Sequence, residues 1–453
     1  MADALTKEEF AAAVRAGRGR AYLHVRQFGL SGVADMVLAA CLQDQSYDPQ
    51  CEGSRAAWLF SMFDGAKESP TFSCAIVDAL EHATNTWDSQ QLCELAALMG
   101  KGGDARARDA LRTRALRQAE AASNDLWVGA ESLMSIDGID AVPDLARRYG
   151  RVLGDDPKRW PPCIDDVTKD SVLIIQSETI LQELAESDAD IRSYLTYWQH
   201  EKIERANRAS GLKRTPEEMK EVVRERSRRE LPLEKILLDA AAEKGDMPGR
   251  YMRFGKCATA EELATVLRRL DEETVEGVCK RLLWVFRRAP LPTVPPKIWD
   301  LSASPTDEIR WAALEALAQV RDPRVGELGR SRLLSHQFAD ADSAIIDLFV
   351  RNYLPGDEQL IMEALQTLTP TADNAHGLCW SLLDIADHNN TASLLALLNW
   401  AYETTPCTNC RLRALKHIRD LGGLGSDIIQ ECLFDADEDI RQLATDWQCA
   451  ERI

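Results

Sequence analysis

The sequence predicts an all-α chain, an α-α superhelix of stacked helical hairpins with an irregular helical insert in the middle. Three observations lead there. Apolar residues recur at helical rather than alternating spacing along most of the chain. One helix-turn-helix unit, 304–334, can be read whole, and its first apolar position, Ile309, has counterparts at Ile345, Leu378, Leu412 and Ile440. The spacings of 36, 33, 34 and 28 residues lie in the range of helical-pair repeats.

Taken in order, 6–16 and 20–27 read as two short helices parted by Gly17-Arg18-Gly19, and 32–42 and 51–63 as a second pair turned at Asp48-Pro49. Stretches 73–83, 89–99, 104–111, 126–134 and 139–149 continue the alternation. The rhythm breaks at Gly154-Asp155-Asp156-Pro157 and Trp160-Pro161-Pro162, after which 171–186 and 190–209 read as two longer helices. The stretch 202–230 is dense in charge, with Lys202, Arg205, Arg208, Lys213, Arg214, Lys220, Arg224, Arg226, Arg228 and Arg229 interleaved with glutamates. Such a mixed run reads first as exposed helices laced by i,i+4 pairs, and second as a basic arm for an acidic partner. Helices resume after Gly255, and Pro290 to Pro296 makes a stiff joint before the clearest repeats.

In the unit 304–334, Ile309, Ala313, Leu317 and Val320 share a face, and the Ser304 and Thr306 hydroxyls and the Asp307 and Glu308 carboxylates stand where they can cap the first amides and oppose the positive helix end. Arg321-Asp322-Pro323 stops that helix. Pro323 suits the first turn of the next, whose stripe is Val325, Leu328 and Leu333. Two such helices cannot bury both stripes on each other, so each unit needs neighbours.

Ile309-Arg310-x-x-Ala313 returns as Ile440-Arg441-x-x-Ala444 with Asp437 three residues ahead, and Leu412-Arg413 repeats its start. At these residues the chain resembles the HEAT-repeat family, above all its bacterial short-repeat, armadillo-like branch. The likeness is good over 305–334 and 410–449; between them Asp347 and Cys379 stand in the arginine places. The resemblance implies a HEAT-type solenoid that binds along a curved surface, and it implies nothing about catalysis. The expected organisation is 1–153 degenerate helical repeats, 154–255 an irregular insert with the charged segment, and 256–453 HEAT-type repeats.

With 73 acidic and 54 basic residues the net charge is −19, which opposes phosphate backbones and anionic membranes and favours a protein partner with a basic surface. The N-terminal stretch has neither a basic nor an apolar leader pattern, no run approaches a membrane span, and a cytoplasmic location is the expectation. The twelve cysteines lie mostly in apolar helical stretches and read as reduced core residues. Most of the eleven tryptophans lie in helical patterns, where packing between repeats is the commoner role.

Cys407-x-x-Cys410 sits at a predicted helix start, where the dipole lowers a thiol pKa as redox motifs require. As half of a zinc site it needs a second pair, with His417, His388 or Cys432 as the residues that a favourable fold would bring near. The stretch 249–257 fails as a phosphate loop, because its glycines are one residue too far apart and Cys257 replaces the magnesium-binding hydroxyl. Asp137-Gly138-Ile139-Asp140 is too short for a calcium loop. Asp384 and His388, one turn apart, read as ordinary helix-end residues. No catalytic residue, no cofactor and no firm metal ligand is assigned.

The function expected is therefore non-enzymatic: a scaffold or adaptor holding a protein partner on its concave surface. The residues offered for contact are Arg310, Arg413 and Arg441 of the repeats and Arg224, Arg226, Arg228 and Arg229 of the charged run. A second reading makes the insert 154–255 the partner-binding or cleavable element, and a third is a repeat-built DNA-binding enzyme.

Overall fold

Helix-start signals written in the sequence are used as hydrogen bonds. The Thr6 hydroxyl accepts from the Glu9 N–H while the Glu9 carboxylate accepts from the Thr6 N–H at 2.8 Å, and Thr215 with Glu218 and Thr259 with Glu262 close the same reciprocal box. Asp322 accepts from the Arg324 N–H at 2.9 Å ahead of the Pro323–Leu334 helix. Thr306 departs from expectation. It stands at the cap of the Asp307–Ala318 helix without a side-chain capping bond, its hydroxyl turned to Glu276 at 3.5 Å, and Ser304 accepts the Thr306 N–H instead.

The computed structural model describes residues 4–117, 125–210, 215–242, 247–335, 338 and 343–451. All regular structure in them is helical, with 27 α-helices, three short 3-10 turns and no strand among the described residues. The all-α class is as expected. Lys213 and Arg214 of the charged run lie outside the described residues.

The chain forms two compact units, 1–213 together with 426–453, and 214–425. These are not the divisions expected at 153/154 and 255/256. The Ser171–Leu184 and Ala189–Ser210 helices pack on Val142–Asp155, so the first half of the expected insert belongs with the N-terminal helices. Their shared core holds Tyr149, Tyr194 and Trp198, all unexposed. The last two helices likewise belong to the first unit, apart from the C-terminal repeats expected at 256–453. Ala436 donates its N–H to Gly17 O at 2.9 Å, the Trp58 indole N–H donates to Phe434 O at 2.9 Å, and Phe434 stacks on Tyr22 at 5.5 Å.

In the first unit the helices fall into two rows. Lys7–Arg15 packs on Ala34–Leu42, that on Ser69–His82, and that on Ala105–Leu116; Gly19–Phe28, Ala56–Phe63, Thr86–Lys101 and Ala130–Asp137 do the same beside them. The second unit repeats the scheme. Glu276–Phe286, Asp307–Ala318, Ser343–Asp347, Ala372–His388 and Thr408–Asp420 pack in sequence, and Pro323–Leu334, Asp357–Gln366 and Leu395–Thr404 make the second row. The repeat positions Ile309, Ile345, Leu378 and Ile440 are buried, whereas Leu412 is half-buried and Cys410, Ala414 and Leu415 take the core face of its helix.

Candidate functional site

The arginines offered for contact are mostly engaged within the chain. Arg310 donates to Ser304 O at 3.0 Å, and Arg441 donates to Asp435 O and Ala436 O at 2.7 Å, each tying its helix to the turn before it. Arg413 donates to Asp384 at 2.6 Å and lies over the Trp380 ring, 5.4 Å from its centroid. The recurrence of arginine after the first apolar residue is thus met by a structural anchor. In the charged run, Arg224 pairs with Glu221 at 3.3 Å, Arg226 with Glu230 at 2.7 Å, and Arg228 donates to Cys257 O at 3.0 Å, while Arg229 is exposed. Helical order with i,i+3 and i,i+4 pairs is what the mixed-charge reading anticipates.

A groove of about 810 Å³ lies in the first unit, and sequence reasoning passed over it. One side is the Ala189–Ser210 helix, which sets Tyr197, Glu201, Arg205 and Arg208 on one face through spacings of four, four and three. The other side is the stretch from Lys158 to Pro162. Two tyrosine hydroxyls hold that stretch, Tyr194 donating to Pro162 O at 2.9 Å and Tyr197 to Pro161 O at 3.1 Å. Trp160 projects from it with 84% of its surface exposed, the extreme among the large apolar side chains exposed in the structure. Trp127, at the same groove, rests against Trp87 at 5.6 Å. Arg205 grips both oxygens of Asp166 at 2.8 Å, a fork that holds the Asp166 carboxyl below its ordinary value and raises the arginine's own. Arg205 also meets Asp165 at 3.3 Å and Arg208 meets Glu201 at 3.4 Å, so the cationic character of this groove in an acidic chain comes from Lys158 and Arg159. The Trp-Pro-Pro sequence carried the available signal; it read only as an irregular connection.

The tryptophans divide. Trp198 and Trp58 are buried with their indole N–H groups satisfied by Asp165 at 2.8 Å and Phe434 O, as packing residues should be, whereas Trp311 and Trp380 are more than 40% exposed.

Cys407 and Cys410 are buried at the start of the Thr408–Asp420 helix. Facing them is His376 of the Ala372–His388 helix. One ligand atom from each of the three lies within 4.8 Å of the others, and Cys410 Sγ is 3.8 Å from His376 Nδ1. Cys379, one turn beyond His376, is buried with its thiol 3.6 Å from Ala401 O. The lowered thiol pKa expected from the helix start is not what the surroundings impose. The hydrogen bond with Cys407, and then burial, push the Cys410 thiol well up, and burial pushes Cys379 up to about 12. The partners named from sequence are engaged elsewhere: His417 Nε2 meets Asp387 at 2.8 Å, His388 Nδ1 lies 2.9 Å from Asp384 O, and Cys432 belongs to the other compact unit.

The rejected motifs stay rejected for visible reasons. Residues 249–257 lie inside the Pro248–Cys257 helix, which offers no phosphate loop. Asp137 ends a helix and accepts from Arg108 at 2.9 Å and Arg112 at 2.6 Å. Among the described residues no helix is long and apolar enough to cross a membrane. No family model, no curated protein and no solved structure matches the chain.

Proposed function

We propose that the chain is a non-enzymatic interaction protein, a HEAT-type α-α superhelix whose groove beside Trp160 holds an extended segment of a protein partner. The observation that carries this reading is the exposed indole of Trp160, set beside Lys158 and Arg159 on a stretch held by the buried Tyr194 and the half-buried Tyr197. An exposed aromatic on rigid backbone is the usual anchor of a binding hot spot, and cations around it select carboxylates. The chain's net charge alone favours a partner with a basic surface; the groove favours the opposite, an acidic segment that carries an aromatic or apolar residue. The later part of the charged run, 216–230, is the weaker candidate, because Arg224 and Arg226 pair within their own helix and no tryptophan lies in that stretch.

The test is binding of the purified chain to immobilised peptides that vary independently in net charge and aromatic content. Acidic peptides with an aromatic residue should be retained, and Trp160→Ala should weaken them by about 30-fold, the size of an anchor contact. A preference for basic peptides, or indifference to Trp160→Ala, would overturn the reading.

A further inference from the structure

We propose that His376, Cys407 and Cys410, with Cys379 as fourth ligand, form a zinc site that staples two helices of the second unit together. The residues make two pairs, His376-x-x-Cys379 inside the Ala372–His388 helix and Cys407-x-x-Cys410 at the start of Thr408–Asp420. Spacing of three places both members of the first pair on one helix face. The second pair stands at a helix start, where Cys407 is the cap residue and its N–H donates to Thr405 Oγ1 at 3.2 Å. Paired ligands joined by a longer loop are the ordinary form of a structural zinc site.

Distance supports the assignment. Zinc–sulfur bonds of about 2.3 Å and zinc–nitrogen bonds of about 2.0 Å at the tetrahedral angle put ligand sulfur and nitrogen about 3.5 Å apart and two sulfurs about 3.8 Å apart. Cys410 Sγ and His376 Nδ1 are 3.8 Å apart, and the three ligand atoms fit within 4.8 Å. The donors are soft thiolates with one imidazole, which suits zinc and excludes calcium or magnesium as preferred occupants. Cys379 stands one helical turn from His376, outside the set of atoms that lie within 4.8 Å of one another, and its thiol must turn from Ala401 O to fill the fourth position. The three thiols leave as three protons to solvent while His376 binds neutral, so the complex carries one negative charge.

The experiment uses the full chain, reduced and stripped with a chelator, then titrated with Co²⁺. One equivalent should develop the intense visible absorption of tetrahedral thiolate cobalt, release three protons, protect the three ligand thiols from alkylation, and be displaced by Zn²⁺. Cys407→Ser and His376→Ala should abolish or shift the band, while Cys432→Ser, a buried cysteine of the other unit, should leave it unchanged. Cys379→Ser should lower proton release to two; an unchanged count of three overturns the fourth-ligand assignment. Should a ligand variant fail to fold, as read by circular dichroism, the wild-type titration and its alkylation map still decide. No stoichiometric tetrahedral band in the wild type, or a Cys407–Cys410 disulfide that persists in place of metal, overturns the site.

Discussion

His24 sits in the first helical pair, 8% exposed, between the rings of Phe10 and Phe28, and its Nδ1 accepts the Leu5 N–H at 3.2 Å. Burial lowers its pKa from 6.5, because the imidazolium would be desolvated and could no longer accept that bond. Between the folded value and 6.5 the unfolded chain therefore holds a proton that the native chain does not. The stabilising contribution is complete above pH 6.5 and is lost as pH falls toward the folded value, at about 1.4 kcal/mol per unit of lowering. Lowering the pH from 7.5 to 5.5 should reduce the melting temperature, and His24→Asn, which keeps an acceptor without a titratable ring, should flatten that dependence; equal pH slopes in the two proteins would refute the assignment. At the same scale, the metal cluster shows what a sequence hides. Cys407-x-x-Cys410 is visible at once, but His376 and Cys379 look like two unrelated residues of an apolar helix until three-residue spacing is taken as a ligand pair. The repeat arginines show the opposite: their recurrence is plain, and only coordinates reveal that Arg310 and Arg441 spend their donors on carbonyls six residues back.

Helices here approach one another at glycines. A Cβ on Gly19 would lie 1.8 Å from Glu431 O, on Gly150 1.9 Å from Asp190 O, and on Gly255 2.0 Å from Val285 O. All three glycines lie within helices, where alanine would gain up to about 1 kcal/mol of intrinsic preference. Packing wins, because no side chain can yield where the obstacle is backbone, and overpacking costs about 1–3 kcal/mol or more. Gly150→Ala should lower the denaturant midpoint, whereas Gly154→Ala in the same helix, with nothing within 4 Å of its added carbon, should leave it unchanged or raise it slightly. Equal shifts would show that helix preference rather than contact decides. Element boundaries were readable because caps and breakers act over three or four residues: Thr6 with Glu9, Asp322 before Pro323, and Asp104 accepting the Ala107 N–H at 3.1 Å. Thr306 was misjudged because its hydroxyl is turned to Glu276, thirty positions away, to which it donates. Local pattern cannot show a distant acceptor.

Distance along the chain is also what concealed the association of its two ends. Residues 426–453 continue the repeat pattern in sequence, yet they complete the core of the first unit. Glu431, 8% exposed, accepts from Arg18 Nε at 2.9 Å and from Arg20 at 2.7 Å, and its backbone carbonyl passes over Gly19. Removing such an acceptor takes from the 6%-exposed Arg18 side chain a carboxylate it donates to, and breaking a buried pair in this way costs about 3–5 kcal/mol. Glu431→Ala should therefore destabilise the first unit by several times the effect of an ordinary surface change. Deleting 426–453 should do more, since Trp58 loses its carbonyl acceptor and Tyr22 its stacked ring. Hydrogen exchange resolves the consequence by region. Amides of Lys7–Arg15 and Gly19–Phe28 should lose protection by at least about tenfold, the equivalent of 1.4 kcal/mol in local opening. Those of Glu276–Phe286, whose core lies in the second unit, should exchange as before. Uniform loss in both units would mean that the C-terminal helices support the chain as a whole. No loss at the N-terminal helices would mean that their repeat rows are stable without the closing pair.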